Sequence, residues 1–470
     1  MSLAAICRAL GIGILILAVA MVIPLAGALT RESEPAAPYL FSMALAVFAS
    51  GLFIVVGSAS REPRGDIREA MGFVFLWWLI APVFGAAPFI LSGAGVIDSY
   101  FEAVSALTTT GAWLSEVSAR ELGSGMLWRA SMQWIGGLVS LSIASAIFVQ
   151  PIFFGVETPT TTVGRPEHSS YFDTLIRAFI YFAPPYAALT GLCFGSLSLA
   201  GETPIHAAAT ALSLVASGGF YGGAVPVGEQ GGYETSLLIA GVTLPFVFLS
   251  GISFALIAAA ARGRLKRISD FETGAFALVV LTLGVILWIL VGQNSGTSFL
   301  HQVFNAASLM STNGVIIGDS PGLAIALIAV VIGGSAISTV GGLKILRWLV
   351  LFRRVRDEVR QLISPRAVFG RRFVSDEIGV WIHFLAFTFA IGALTLLLTA
   401  GGNSFELSVA AAAAILANAG PVLVLAEGGS EGYLVFEEIW LRLVLCLGMM
   451  LGRIETVAAL VIFNRSFWRS

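Results

Sequence analysis

Four glycines, Gly111, Gly219, Gly314 and Gly420, each close a short apolar segment, and small residues, many of them polar, precede them. The strings read FEAVSALTTTGAW, IHAAATALSLVASGGF, FNAASLMSTNGVI and FELSVAAAAAILANAGPVL. The chemistry available to such loops is that of backbone carbonyls. A ring of carbonyl oxygens can replace the hydration shell of a cation. Glycine permits the unusual torsions that turn carbonyls toward one axis. The candidate site is therefore Thr109, Thr110 and Gly111; Ser217, Gly218 and Gly219; Thr312, Asn313 and Gly314; and Asn418, Ala419 and Gly420. A single loop of this kind is weak evidence, since glycine turns also join helices or let them pack closely. Four in equivalent places are strong evidence.

The loops recur at spacings of 108, 95 and 106 residues, so the unit that positions them is duplicated. Hydrophobic residues make up 57% of the chain and charged residues 11%, against roughly 25% charged in soluble domains. This places the loops in a polytopic, all-α membrane bundle. Apolar spans are expected at 4–29, 39–58, 71–91, 126–150, 173–198, 235–261, 274–292, 321–352, 377–400 and 434–463, about ten transmembrane helices. The first could also be a signal peptide, since Ala26-Gly27-Ala28 resembles a cleavage site; a retained helix is preferred because its apolar part is long. Segments 98–110, 203–217, 299–312 and 404–418 are too short to cross and are expected to re-enter. The order predicts an N-terminal two-helix extension (1–65) and four pore repeats: 66–165, 166–268, 269–372 and 373–470.

Positive charge orients the bundle. Arg61, Arg64 and Arg68, then Arg262, Arg264, Lys266 and Arg267, then the basic run from Arg353 to Arg372 all fall on one side if each short segment returns to the side it entered. That side is expected to be the cytoplasm, with both termini there. Net charge is −2, which supports no nucleic-acid partner. Cys7, Cys193 and Cys446 lie in apolar runs and are expected to be small buried hydrophobes. His206, His301 and His383 have no metal-ligand spacing.

Two further features bear on control of a pore. Gly333, Gly334, Gly341 and Gly342 fall within ten residues of an apolar span. Glycine inside a helix costs about 1 kcal/mol relative to alanine, so an unwound segment is expected. It is expected to gate the pore below the loops through Gly334, Ser335, Gly341, Gly342 and Lys344; the bland alternative is a loose helix with Lys344 snorkelling to the interface. Arg453 lies mid-span, where a charge must face a cavity or a partner. A structural pair with an acidic residue elsewhere would meet that need. Glu102 and Glu406 lie near the starts of two short segments and are expected to complement helix dipoles, with cation attraction as the sharper alternative.

These residues resemble the Trk/Ktr/HKT superfamily of potassium transporters. TTTGA, SGGF and NAGP resemble its filter loops. Trp128-Arg129 with QWIGG at 133–137, GISF at 251–254, GGSAISTVGGLKILRW at 333–348, LISPRAV at 362–368 and LGRIE at 451–455 extend the likeness. Two extra N-terminal spans resemble the TrkH-type branch. The resemblance implies potassium uptake across the cytoplasmic (inner) membrane, potassium as substrate with no covalent cofactor, a homodimer, and a TrkA-like cytosolic nucleotide-binding regulatory subunit. Glycine in all four loops implies potassium preference. The resemblance also implies that Arg453 faces the ion pathway as an electrostatic barrier below the filter, the alternative being the structural pair. The third loop departs from the family's TTTGF, and Val340 stands where a glycine is common.

An ion-coupled secondary transporter of less strict K/Na selectivity would show paired or inverted repeats. An enzyme would need a cluster of reactive side chains, and none is apparent. A passive structural subunit would keep the bundle and lose transport.

Overall fold

The computed structural model describes residues 3–30, 34–58, 67–114, 123–148, 170–219, 225–227, 232–234, 237–263, 271–292, 298–363 and 374–456. Nearly every described element is a helix, as a chain in hydrocarbon requires, because each backbone polar group must be satisfied internally. The exception is a short antiparallel hairpin pairing Val225–Val227 with Gly232–Glu234. Seven described helices are long and apolar enough to cross a membrane, or eight if one bent pair counts as one span.

The difference from ten has two sources. The expected span 321–352 is interrupted: Leu323–Ile332 stops, a non-helical stretch follows, and Ile345–Ile363 resumes as an amphipathic helix rich in arginine. The last span is described only as the sixteen-residue helix Ile439–Ile454. A further correction concerns 235–261. It is not one straight span but two helices, Leu237–Gly251 and Phe254–Ala261, bent by 107°. The expected repeat boundaries near 65, 165, 268 and 372 lie outside the described residues, as do Arg61, Arg64, Arg264, Lys266, Arg267, Arg366, Arg371 and Arg372. Cys193 and Cys446 are buried and Cys7 is half-buried; all three are free thiols.

The four short segments are helices of equal length, Val96–Leu107, Pro204–Val215, Phe299–Met310 and Phe405–Leu416, twelve residues each. Each starts after a capping residue, Gly95, Thr203, Ser298 or Ser404, sixteen positions before its glycine. Where that residue carries a hydroxyl, the oxygen accepts an amide hydrogen of the first turn, which satisfies one of the helix's orphan donors. Longer helices wrap these four closely. A Cβ at Gly136 would lie 1.8 Å from the Leu107 carbonyl oxygen, and one at Gly452 would lie 2.2 Å from that of Leu416. Small residues at these two crossings let the wrapping helices touch the ends of the short ones.

Candidate ion-conduction site

Each short helix ends in the same way. In the first, Thr109 N donates to Ala106 O at 3.0 Å and Thr110 N to Ser105 O at 2.9 Å. The pattern repeats as Ser217 to Leu214 with Gly218 to Ser213, Thr312 to Leu309 with Asn313 to Ser308, and Asn418 to Ile415 with Ala419 to Ala414. This paired bonding is a Schellman ending, which needs a left-handed residue at the position after the cap, usually glycine. Here that residue is Thr109, Ser217, Thr312 or Asn418, with φ of 55°, 55°, 52° and 53°. A left-handed non-glycine residue costs on the order of 1–3 kcal/mol, and β-branched threonine is an outlier there. Four such residues in one register mark a site where strain is held by its surroundings.

The loops meet around one axis. A Cβ on Gly111 would lie 2.6 Å from Gly219 N, and one on Gly219 would lie 2.2 Å from Pro421 Cγ and 2.9 Å from Asn313 O. One on Gly420 would lie 2.4 Å from Ala112 N. Side chains would not fit at these contacts. Gly111 and Gly314 also sit at φ 71°, so only glycine holds that backbone without strain. All twelve candidate residues are buried. The four helix C-termini, with their negative dipole ends, run into this cluster.

Polar side chains brace it. Asn418 Nδ2 donates to Thr110 Oγ1 at 2.9 Å and to Met449 O at 3.0 Å. Thr110 Oγ1 is also 2.7 Å from Thr108 Oγ1. Thr109 Oγ1 and Ser217 Oγ are buried with no hydrogen-bond partner among the described residues. Buried hydroxyls are nearly always partnered, so this pair suits an ion or its water. Two backbone carbonyls are engaged internally: Gly420 N donates to Thr110 O at 2.7 Å, and Tyr433 OH donates to Gly420 O at 3.2 Å.

The unwound stretch lies directly beneath. Gly341 N donates to Thr312 Oγ1 at 3.0 Å, and a Cβ on Gly341 would lie 1.9 Å from Ala417 O. On its far side the stretch docks on the bend at residues 252–253: Ser335 N donates to Gly251 O at 2.9 Å and Phe254 N to Ile337 O at 2.6 Å. A Cβ on Gly334 would also meet Gly251 O, and Gly342 packs on Gly333. The expected break is therefore present, with Gly334, Ser335, Gly341 and Gly342 all in it. Lys344 does not snorkel. It is buried, left-handed at φ 72°, and its Nζ donates to Val340 O inside the stretch.

Arg453 reaches the same stretch. Its Nε donates to Ser140 Oγ and its Nη1 to Thr339 O, both at 2.6 Å. No ion pair of Arg453 with an acidic residue is found among the described residues. Glu455 instead pairs with Arg347 and lies 3.6 Å from His383 Nε2. A small cavity of about 40 Å³ is bounded by Arg453, Ser140, Lys344 and the stretch. That is room for only a few waters.

Three residues that sequence reasoning passed over belong here. Gln133 packs on Gly218, Ser140 meets Arg453, and Glu272 accepts Ala336 N at 2.7 Å. Their signal was a polar residue inside or at the edge of an apolar span. Glu102 was misplaced by the sequence. It lies in the second half of its helix, where Asp98 occupies the first turn, so dipole complementation does not describe it. It accepts Arg129 Nε at 2.8 Å and Leu114 N at 3.0 Å instead. Glu406 is in a first turn, as expected.

With this geometry established, sequence comparison is decisive. The chain is 30% identical, over 99% of its length and 97% of the relative's, to the Trk system potassium uptake protein TrkI of Halomonas elongata. It is 30% identical, over 99% of both chains, to the Trk system potassium uptake protein TrkH of Salmonella typhimurium. The chain belongs to the Trk family. The crystal structure of the potassium transporter TrkH from Vibrio parahaemolyticus superposes with a TM-score of 0.83 at 26% identity, covering 100% of both chains. No protein-family model matches the chain. Membership in the Trk family makes it a multi-pass membrane protein whose relatives are named as potassium uptake proteins.

Proposed function

We propose that this chain takes up potassium through a channel-like pore whose filter is the four glycine loops. The observation that carries the reading is the fourfold register of left-handed residues, Thr109, Ser217, Thr312 and Asn418, each two positions before a glycine at a common axis. Carbonyls and hydroxyls held this way substitute for water around a cation. The internally used carbonyls of Thr110 and Gly420 each keep a second lone pair for an ion. Four loops built alike favour a channel-like filter over a carrier, whose sites come from paired, inverted broken helices.

The same reading assigns gating to residues 333–344, with Arg453 as a positive barrier at the loop's Thr339 carbonyl. The narrowness of the adjacent cavity supports a closed gate in this conformation. It further includes four pore repeats after a two-helix extension, an inner-membrane location with both termini cytoplasmic, a homodimer, and a TrkA-like regulatory partner.

The test is growth of a potassium-uptake-deficient bacterium at low potassium, with the cytosolic partner supplied. Wild type is expected to restore growth, and Gly111→Ser and Gly314→Ser to let sodium compete in rubidium uptake. A folded, membrane-inserted wild type that gives no growth overturns the assignment. Deleting 336–340 is expected to raise basal flux several-fold; unchanged flux removes the gate.

A further inference from the structure

Away from the pore, the N-terminal helix Leu3–Ala20 leaves a crevice against the helices Ile67–Leu91, Ser124–Ile143 and Tyr171–Leu199. Its volume is about 260 Å³, and its walls are almost wholly apolar, with Ile12, Ile16, Phe73, Trp77 and Phe179 among them. Pockets for compact small-molecule ligands run roughly 300–1,000 Å³, so this space falls below that range and has room for part of one acyl chain. Two charges of opposite sign line it, Arg8 and Asp173. Both residues are exposed, and no ion pair joins them among the described residues. They lie near the starts of their helices, so the charged end of the crevice falls at one membrane interface and the apolar part runs toward the bilayer interior.

Charge decides the occupant. A fatty acid or an anionic lipid would be drawn to Arg8 and repelled by Asp173. A quaternary ammonium carries no N–H to donate to a carboxylate, whereas a primary ammonium does, and charge-assisted bonds are the strong ones. We propose that the crevice is a binding site for a glycerophospholipid with a zwitterionic, primary-amine headgroup. Arg8 takes the phosphate, Asp173 takes the ammonium, and one acyl chain lies against Phe73 and Trp77. The site is independent of the ion pathway.

The test is native mass spectrometry of the full-length protein incubated with equimolar phosphatidylethanolamine, phosphatidylglycerol and phosphatidylcholine. An exposed ion pair contributes up to about 1 kcal/mol, so wild type is expected to retain phosphatidylethanolamine over the others by up to about fivefold. Asp173→Asn is expected to remove that preference while leaving total lipid retained. Arg8→Ala lowers retention of all three. Ala9→Trp, which fills the crevice, abolishes selective retention. Equal retention of the three lipids by wild type, a preference for phosphatidylglycerol, unchanged retention in Arg8→Ala, or the phosphatidylethanolamine preference surviving in Asp173→Asn overturns the proposal. The two surface variants keep the test valid if Ala9→Trp fails to fold.

Discussion

Glycine loops one and three leave the axis under the same restraint, whereas loop four leaves it under another. In loop one, Glu102, nine residues before the glycine, holds the amide of Leu114, three residues after it. In loop three, Asn305 and Ile317 stand in the same two places, and Asn305 both accepts from Ile317 N at 2.7 Å and donates to Ile317 O at 2.9 Å. In loop four the matching residue is Ala411, which has no polar group to offer. That loop turns into a short 3₁₀ helix, Gly420–Leu425, and leans on its neighbour: Gly420 N donates to Thr110 O and Tyr433 N to Trp113 O. Loops one and three are thus each held to their own helix at the same two places, whereas loop four, which reaches its own helix only farther out through Glu427 N to Glu406 Oε1 at 3.4 Å, is tied to loop one. A perturbation of loop one should therefore reach loop four through backbone hydrogen bonds, while loop three, which meets its neighbours through packing and through Thr312 Oγ1, should pass on less.

The largest effect is expected at Glu102. Its carboxylate is the buried partner of Arg129, which also stacks 4.7 Å over the Phe89 ring. Glu102→Ala breaks that buried pair and should cost about 3–5 kcal/mol, read as a lowered thermal unfolding midpoint in detergent together with lost ion selectivity. Next is Asn305→Ala, which strips both bonds from Ile317 and should cost about 1–3 kcal/mol, with rubidium–sodium discrimination lost but the fold retained. An Asn305→Ala effect as large as that of Glu102→Ala would break the comparison, because it would mean loop three also supports a neighbour. The smallest is Tyr433→Phe, which removes one hydroxyl from Gly420 O and should cost about 1 kcal/mol or less. Its informative readout is flux: freeing the Gly420 carbonyl should alter ion selectivity with little change in unfolding temperature. No change in either measurement would show that this bond does not hold loop four.

Much of this was legible in the sequence because glycine and apolar runs report backbone needs directly. The four glycines, a short segment before each and an unwound stretch between Gly333 and Gly342 follow from composition and spacing alone. The bend at residues 252–253 does not. The run from Leu237 to Ala261 is mostly apolar, and although Ser250, Gly251 and Ser253 mark a weak point, the docking of Ser335 and Ile337 on its broken ends is what holds the turn. Nor does the Glu102–Arg129 pair follow, since its members are 27 residues apart on different helices. The left-handed threonines were hidden for a different reason. Local propensity argues against φ near +55° for threonine, so the surrounding structure must override it, and no local pattern announces such an override.

The constant sixteen-residue interval from each helix-starting residue to its glycine makes the short helix a ruler. Adding or removing one residue inside it moves the glycine by about 1.5 Å along the helix and turns it by about 100°. Nothing at a four-way junction with contacts this tight could absorb that. Across related chains, these four intervals should therefore vary by substitution only, while gained and lost residues accumulate in the connections between units, where the spacings of 108, 95 and 106 already differ.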